Sequence, residues 1–567
     1  MSKTFAEKFE SFARIVISIL MIYLMGSLSL ISMFSTTGMQ TIEEGQDVDS
    51  VVIRIFKAQE SVIFYHDDAL INIIMLAVFG ILCFLILPKM KKLSLRTELI
   101  FLTVWTLLGG IIWVNSSMVE PTFDSAYVTE YAKKFASGDY SGMSDTYLQE
   151  YPFQLGYIFL AEILYKIASA NFGEPETTIF IQVMNVVFLA LIYNGIVLIN
   201  HELFEDKRIR HMTVLLFAVC TQPVIFCTFT YGIIPAFAFA VWALYLEILY
   251  FKKNKIWLGI VSALCLGLAV MIKNNNYIVM IAMLIIAFIQ MLRRKQLLKD
   301  AAYLVLAGVM GLSLLPAAIS HYEKKSETEL GDSLPYVSWI AMGMCEGFRA
   351  PGWYRGTYTT TKFEELDMNQ EAMRAYSENL LHERLDYFKE NPQYRKDFFY
   401  RKFTSQWNET SYQSIWNNTV RKQYKEKGKL SQWVCYDGVD KVKSYMDFYT
   451  QLIFWGCLLA VIGCLKSKEF LRVSMPLVVL GGMLYHLLAE AKSQYAISYF
   501  IMIVGISAYG LCIGYDIFSK KIQRYPKIAK FFPEEAQTIP APVPADVVPK
   551  TETGTKQTEN SETSEET

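Results

Sequence analysis

Residues 493–515 read SQYAISYFIMIVGISAYGLCIGY, twenty-three positions without one charged side chain. A stretch of about 20 apolar residues is what a helix needs to cross the hydrocarbon core of a bilayer. Immediately after it come Lys520, Lys521, Arg524, Lys527 and Lys530. Apolar block followed by basic cluster is the pattern of a membrane span ending at the cytoplasm.

The pattern repeats along the chain. Spans are predicted at about 12–34, 70–88, 97–114, 178–200, 212–228, 231–251, 256–272, 277–292, 301–320, 447–465, 473–490 and 493–515. Basic loops follow at Lys89, Lys91, Lys92 and Arg96; at Lys207, Arg208 and Arg210; at Lys252, Lys253 and Lys255; at Arg293, Arg294, Lys295 and Lys299; and at Lys466, Lys468 and Arg472. With twelve spans every cluster falls on the side of the N-terminus, which is therefore cytoplasmic, as is the C-terminus. The expectation is an all-α, multi-pass cell-membrane protein of about 12 transmembrane helices. The first span is too long for a signal-peptide core and is read as an uncleaved anchor. Residues Tyr151 to Ile167 are apolar but short, and carry Glu162 and Lys166. Counting them as a span would move every later basic loop outside, so they are read as an interfacial or re-entrant helix.

Composition agrees. The 567 residues are 53% hydrophobic and 14% aromatic, with 19% charged and a net charge of -1. Such a chain is neither a soluble enzyme nor a disordered one, and no basic excess points to nucleic acid. The nine cysteines show no metal-ligand spacing. Seven lie in spans. Cys345 and Cys435 share the large outer segment, and spacing leaves a disulfide and two free thiols equally open. Walker, dinucleotide and HExxH motifs are absent.

The predicted organisation is 1–114, N-terminal transmembrane helices; 115–177, a first large extracytoplasmic loop with interfacial helices; 178–320, a transmembrane core; 321–446, a second large extracytoplasmic segment; 447–515, C-terminal transmembrane helices; and 516–567, a cytoplasmic basic segment and tail. From Pro533 onward the chain is rich in Pro, Glu and Thr and is expected to be disordered.

The chemistry-bearing residues gather on the outer side. Glu120-Pro121 precedes Asp124, and beyond it Tyr127, Tyr131 and Phe135 recur at helical spacing. Asp124 reads either as the N-cap of that helix or as a carboxylate held ready to take a proton; the residues themselves favour the cap. Tyr151-Pro152-Phe153-Gln154 leads into the interfacial segment, and Thr230-Tyr231-Gly232 to Pro235 reads as a chain reversal. Lys273, before three asparagines, is a cation in a short outer loop: a snorkelling lysine or an anchor for a lipid phosphate. His486, Glu490 and Lys492 flank the last outer turn, where Glu490 either pairs with Lys492 or serves a site. Arg349, Trp407 and Glu409 lie among aromatic and polar residues that suit a sugar, whose rings offer apolar faces and polar edges; an interfacial aromatic belt is the plainer reading of any single Trp.

In this order the segments EPTFD, YPFQLG, TYGIIP, IKNNN, SQWNET and EAKSQY resemble the polyprenol-dependent membrane glycosyltransferases of the C-type fold, over roughly Thr97 to Tyr515. The likeness is greatest to the glycosyltransferase family 39-like proteins of Gram-positive bacteria, relatives of protein O-mannosyltransferases and aminoarabinose transferases. The resemblance implies transfer of a sugar from a polyprenyl-phosphate carrier to a cell-envelope acceptor on the outer face. It implies Asp124 as base, with a divalent metal ion as a candidate cofactor and Asp124 its candidate ligand. Lys273 and Lys492 are the candidates for the donor phosphate, and Tyr151, Gln154, Arg349, Trp407, Glu409 and Glu490 for the substrate. Three features depart from the family: Ser125 stands where a second acid is usual, Gln494 replaces an arginine before Tyr495, and two spans are added at the start. A flippase or exporter of lipid-linked saccharide is the non-enzymatic alternative, and a polysaccharide polymerase or ligase a third. Polar residues inside spans, which a transport pathway needs, are few: mainly Glu247 and Gln290.

Overall fold

The computed structural model describes residues 5–40, 61–173, 176–294, 296–421 and 425–533. Lys295 and the tail beyond Pro533 lie outside these described residues. Among them, ten helices are long and apolar enough to cross a membrane: Phe5–Phe34, Ala69–Lys92, Leu95–Ser117, Glu176–Leu203, Ile233–Lys253, Asn274–Arg294, Leu297–Ser326, Val439–Lys466, Phe470–Leu488 and Ser493–Ile522.

Two of the twelve expected spans are shorter. Ile256–Ile272 is helical but has only 17 residues. The stretch 212–228 is broken into Lys207–Val219 and Gln222–Phe226. Pro223 is the cause: its ring would strike the carbonyl four residues back, and that residue, Val219, is where the first helix stops. The 151–167 segment forms the 15-residue helix Leu155–Ser169, packed against Ile256–Ile272 and Leu297–Ser326.

Buried charges near the helix ends that carry the basic loops are paired, as burial requires. Glu98 is bound by both Arg210 and His211, all three buried. Arg14 donates to the carbonyls of Cys464 and Leu465 at 2.9 and 2.7 Å, tying the first helix to a late one. All nine cysteines, Cys345 and Cys435 included, are free thiols.

One element is absent from the sequence reading. Ser35–Gln40 and Ser61–His66 form an antiparallel hairpin beyond the first span, with Ser35 opposite His66 and Gln40 opposite Ser61. Its edges are covered by the second outer segment, which satisfies strand groups that would otherwise seek a partner. Thr37 N donates to Asn408 O at 3.0 Å, and Val62 N to Arg349 O at 3.4 Å.

Side-chain amides brace the outer end. Gln182 and Asn185 share a face of Glu176–Leu203 and are buried. Gln182 Nε2 donates to the carbonyls of Val119 and Thr228, and Asn185 Nδ2 to those of Cys227 and Phe229. These carbonyls belong to the two chain segments that carry Asp124 and Tyr231. Irregular backbone at this depth is tolerated where such partners are supplied.

Candidate functional site

The outer segments enclose a cavity of about 280 Å³. Two carboxylates line it, Asp124 and Glu490, and three cations, Lys273, Lys492 and Arg349. Aromatic rings make most of the remaining wall, among them Tyr151, Tyr231, Trp339, Trp353 and Trp416.

Asp124 is not an N-cap. The helix Asp124–Ala136 begins at Asp124 itself, and the cap position is Phe123, whose side chain makes no capping bond. Phe123 has φ 52°, a value that strains any residue with a Cβ. The turn is closed instead by Ser125, whose hydroxyl accepts from Thr122 N at 3.0 Å and donates to Thr122 O at 2.7 Å. Among the described residues no hydrogen bond or ion pair holds the Asp124 carboxylate. It stands in the first turn of a helix, where the dipole favours negative charge.

Lys273 follows the end of Ile256–Ile272 in extended conformation and is only 6% exposed. Its ammonium sits over the Tyr231 ring, and the Tyr231 hydroxyl accepts from Gln154 Nε2 at 2.5 Å. Burial pulls the Lys273 amine down to about 7, against the opposing pull of Asp124 and Glu490. Enclosure pushes the Glu490 carboxyl up to about 7; Lys492 opposes that shift and Asp124 adds to it. A loop-tidying Glu490–Lys492 salt bridge does not form among the described residues.

The structure thus brings Asp124, Tyr151, Lys273, Arg349, Glu490 and Lys492 to one cavity. Three other candidates do not line it. Gln154 is buried and holds Tyr231. Trp407 is buried against Tyr499, 5.9 Å between ring centroids. Glu409 turns its carboxylate onto its own loop, accepting from Ser411 Oγ at 2.5 Å and Gln413 N at 2.6 Å. Burial raises its pKa, and these bonds oppose the rise.

Tyr231, placed in a mere chain reversal by its sequence, is a cavity wall. So are Tyr147 and Phe229, which flank the YPFQLG and TYGIIP segments, and Trp339, whose surroundings in sequence carry no motif. As for a metal, the described residues gather no three His, Cys, Asp or Glu side chains into a ligand set. Among the described residues, Asp124 and Glu490 are the two carboxylates on the cavity wall. A divalent cation there would have these two carboxylates, with waters and substrate oxygens as its remaining ligands.

The family model for a conserved hypothetical integral membrane protein matches residues 181–510, more than half of the chain. The chain belongs to this family. The matched region holds Lys273, Arg349, Glu490 and Lys492, and leaves Asp124 and Tyr151 ahead of it. No curated protein matches the chain.

Proposed function

We propose that the protein is a membrane glycosyltransferase that moves a sugar from a polyprenyl-phosphate carrier to a cell-envelope acceptor on the extracytoplasmic face. One observation carries the reading: an unheld carboxylate, Asp124, faces the same aromatic-walled cavity as Lys273 and Lys492. A positioned base, a cationic site for a leaving phosphate and ring-stacking walls are the parts such a transfer needs. In the reaction, Asp124 takes the proton of the acceptor hydroxyl as its oxygen bonds to the anomeric carbon. The bond from that carbon to the carrier's phosphate oxygen breaks, and the released anionic charge is met by Lys273 and Lys492. The displacement is single and inverting, and no step is routed through a metal.

The cavity's size bears on the alternatives. At about 280 Å³ it is at the lower limit of small-molecule sites, which suits one sugar unit better than the long glycan of a polymerase or ligase. The reading takes the C-type topology, in which 212–228 and Ile256–Ile272 both cross and all basic loops share one side.

The test is a panel of radiolabelled polyprenyl-phosphate sugars presented to the purified full-length protein in nanodiscs with envelope acceptors. Label should move to an acceptor and stay on the lipid with Asp124→Asn. Passage of intact labelled lipid across the bilayer without transfer would overturn the reading in favour of an exporter.

A further inference from the structure

Lys402 lies outside the cavity, in the helix Pro392–Trp407, and is completely buried. A buried ammonium normally pairs with a carboxylate. This one donates to three backbone carbonyls instead: Gly343 at 2.5 Å, Ala489 at 2.8 Å and Leu488 at 3.4 Å. Two of them close the helix Ser474–Leu488, where a cation meets the negative end of the dipole. The next residue along is Glu490.

The rest of this loop is gripped as well. Ala491 N donates to Gly352 O at 2.9 Å, His486 Nδ1 donates to Glu490 O at 2.8 Å, and Gln406 Nε2 donates to Lys492 O at 3.4 Å. Space for the lysine is built in. Gly352 has φ 73°, and a Cβ there would stand 2.6 Å from Lys402 Cε. A Cβ on Gly343 would stand 2.5 Å from the Ala489 carbonyl. The second outer segment is therefore shaped to hold residues 488–492 from behind.

We propose that Lys402 is a positioning residue, which sets Glu490 and Lys492 against Asp124 and Lys273 by clamping the carbonyls of Leu488 and Ala489. The role in turnover rests on the glycosyltransferase reading; the clamp itself does not. The test is amide hydrogen exchange of the full-length protein in nanodiscs, read beside sugar transfer. Lys402→Met should speed exchange about tenfold within 488–495 and leave 274–294 unchanged. Lys402→Arg, which keeps charge and donors, should stay within about twofold of wild type. The kcat for transfer should fall about a hundredfold in the Met variant, the scale of a misplaced catalytic group.

Unchanged exchange at 488–495, acceleration spread evenly over the protein, or equal loosening in the Arg and Met variants would each overturn the proposal. Should Lys402→Met not fold, Gln406→Leu releases only the Lys492 carbonyl. It should speed exchange at 492–495 about threefold, and no change there would count against the clamp. Wild-type protein that transfers no sugar yet shows the local loosening would sink the glycosyltransferase reading and leave the clamp standing.

Discussion

The Lys273 ammonium lies 3.5 Å from the centroid of the Tyr231 ring. A cation so placed, in a water-poor wall, is worth about 0.5–2 kcal/mol to the pair. Tyr231→Leu should release Lys273 and weaken binding of the polyprenyl-phosphate donor by roughly 2- to 30-fold. Tyr231→Phe keeps the ring, loses the hydroxyl's bonds to Gln154 and Tyr147 and should stay near wild type. Titration of both variants with donor lipid checks the ordering; equal loss in the two would show that the hydroxyl, not the ring face, matters.

Asp124→Asn removes a charge that has no hydrogen bond or ion pair among the described residues and acts on Lys273 through the field alone. It costs little of the helix, about 0.3–1 kcal/mol of dipole interaction at most. Transfer should nevertheless fall by roughly a hundredfold or more if Asp124 is the base. The assay is run across a divalent-metal titration, because recovery with excess metal would mark a ligand and persistent loss a base. Near-normal turnover would remove Asp124 from the chemistry.

Donor binding should strengthen as pH falls from about 8 to 6. Lys273, held down to about 7, is cationic below that pH and neutral above it. Glu490, pushed up to about 7, is neutral below and anionic above. Both changes make the cavity more positive in acid, while a phosphodiester stays anionic throughout. Donor Kd measured against pH should therefore rise through about 7, and Glu490→Gln should flatten part of that rise. A Kd independent of pH would place the phosphate away from both groups.

Gln182→Leu removes the amide donor of the Val119 carbonyl and leaves the Thr228 carbonyl with its bond from Arg421, at 3.1 Å. The loss should be about 1–2 kcal/mol of stability, measured by unfolding in detergent, with a larger relative fall in donor binding because both segments bear on the cavity. A stable variant with unaltered binding would show that the amide does not brace the site.

A reporter at Gly138 should be outside and one at Lys207 inside, from the alternation of basic loops. Both reporters on one side would show that the 151–167 helix crosses.

What could be read in advance was what periodicity and charge express. The long spans were legible because lipid demands unbroken apolar runs. Asp124, Lys273, Glu490 and Lys492 stood out because charge beside a span is costly enough to require a reason. The break at Cys220 and Thr221, just ahead of Pro223, was hidden because hydropathy averages over a proline. The position of Asp124 was misread by one residue: the turn depends on a left-handed Phe123, which nothing in a phenylalanine announces. Glu409 and Trp407 looked like ligands because polar and aromatic residues in an outer segment have the same composition whether they face a cavity or pack inward. Lys402, which leads into the same segment, drew no role for a related reason, since a lysine in a hydrophilic stretch signals solvent.

The clamp on residues 488–492 has a consequence for biosynthesis. Asp124, Lys273 and Lys402 leave the ribosome long before Ala489, so a nascent chain inserts most of its helices while the Lys402 ammonium has only one of its three acceptors available. Until the final hairpin arrives, those unmet donors disfavour closure of the outer segment, and the wall bearing Glu490 and Lys492 does not exist. Chains truncated after Lys466 should therefore reach the membrane yet keep an open, protease-sensitive outer segment, which makes completion of the last hairpin the step that commits the protein to its final shape.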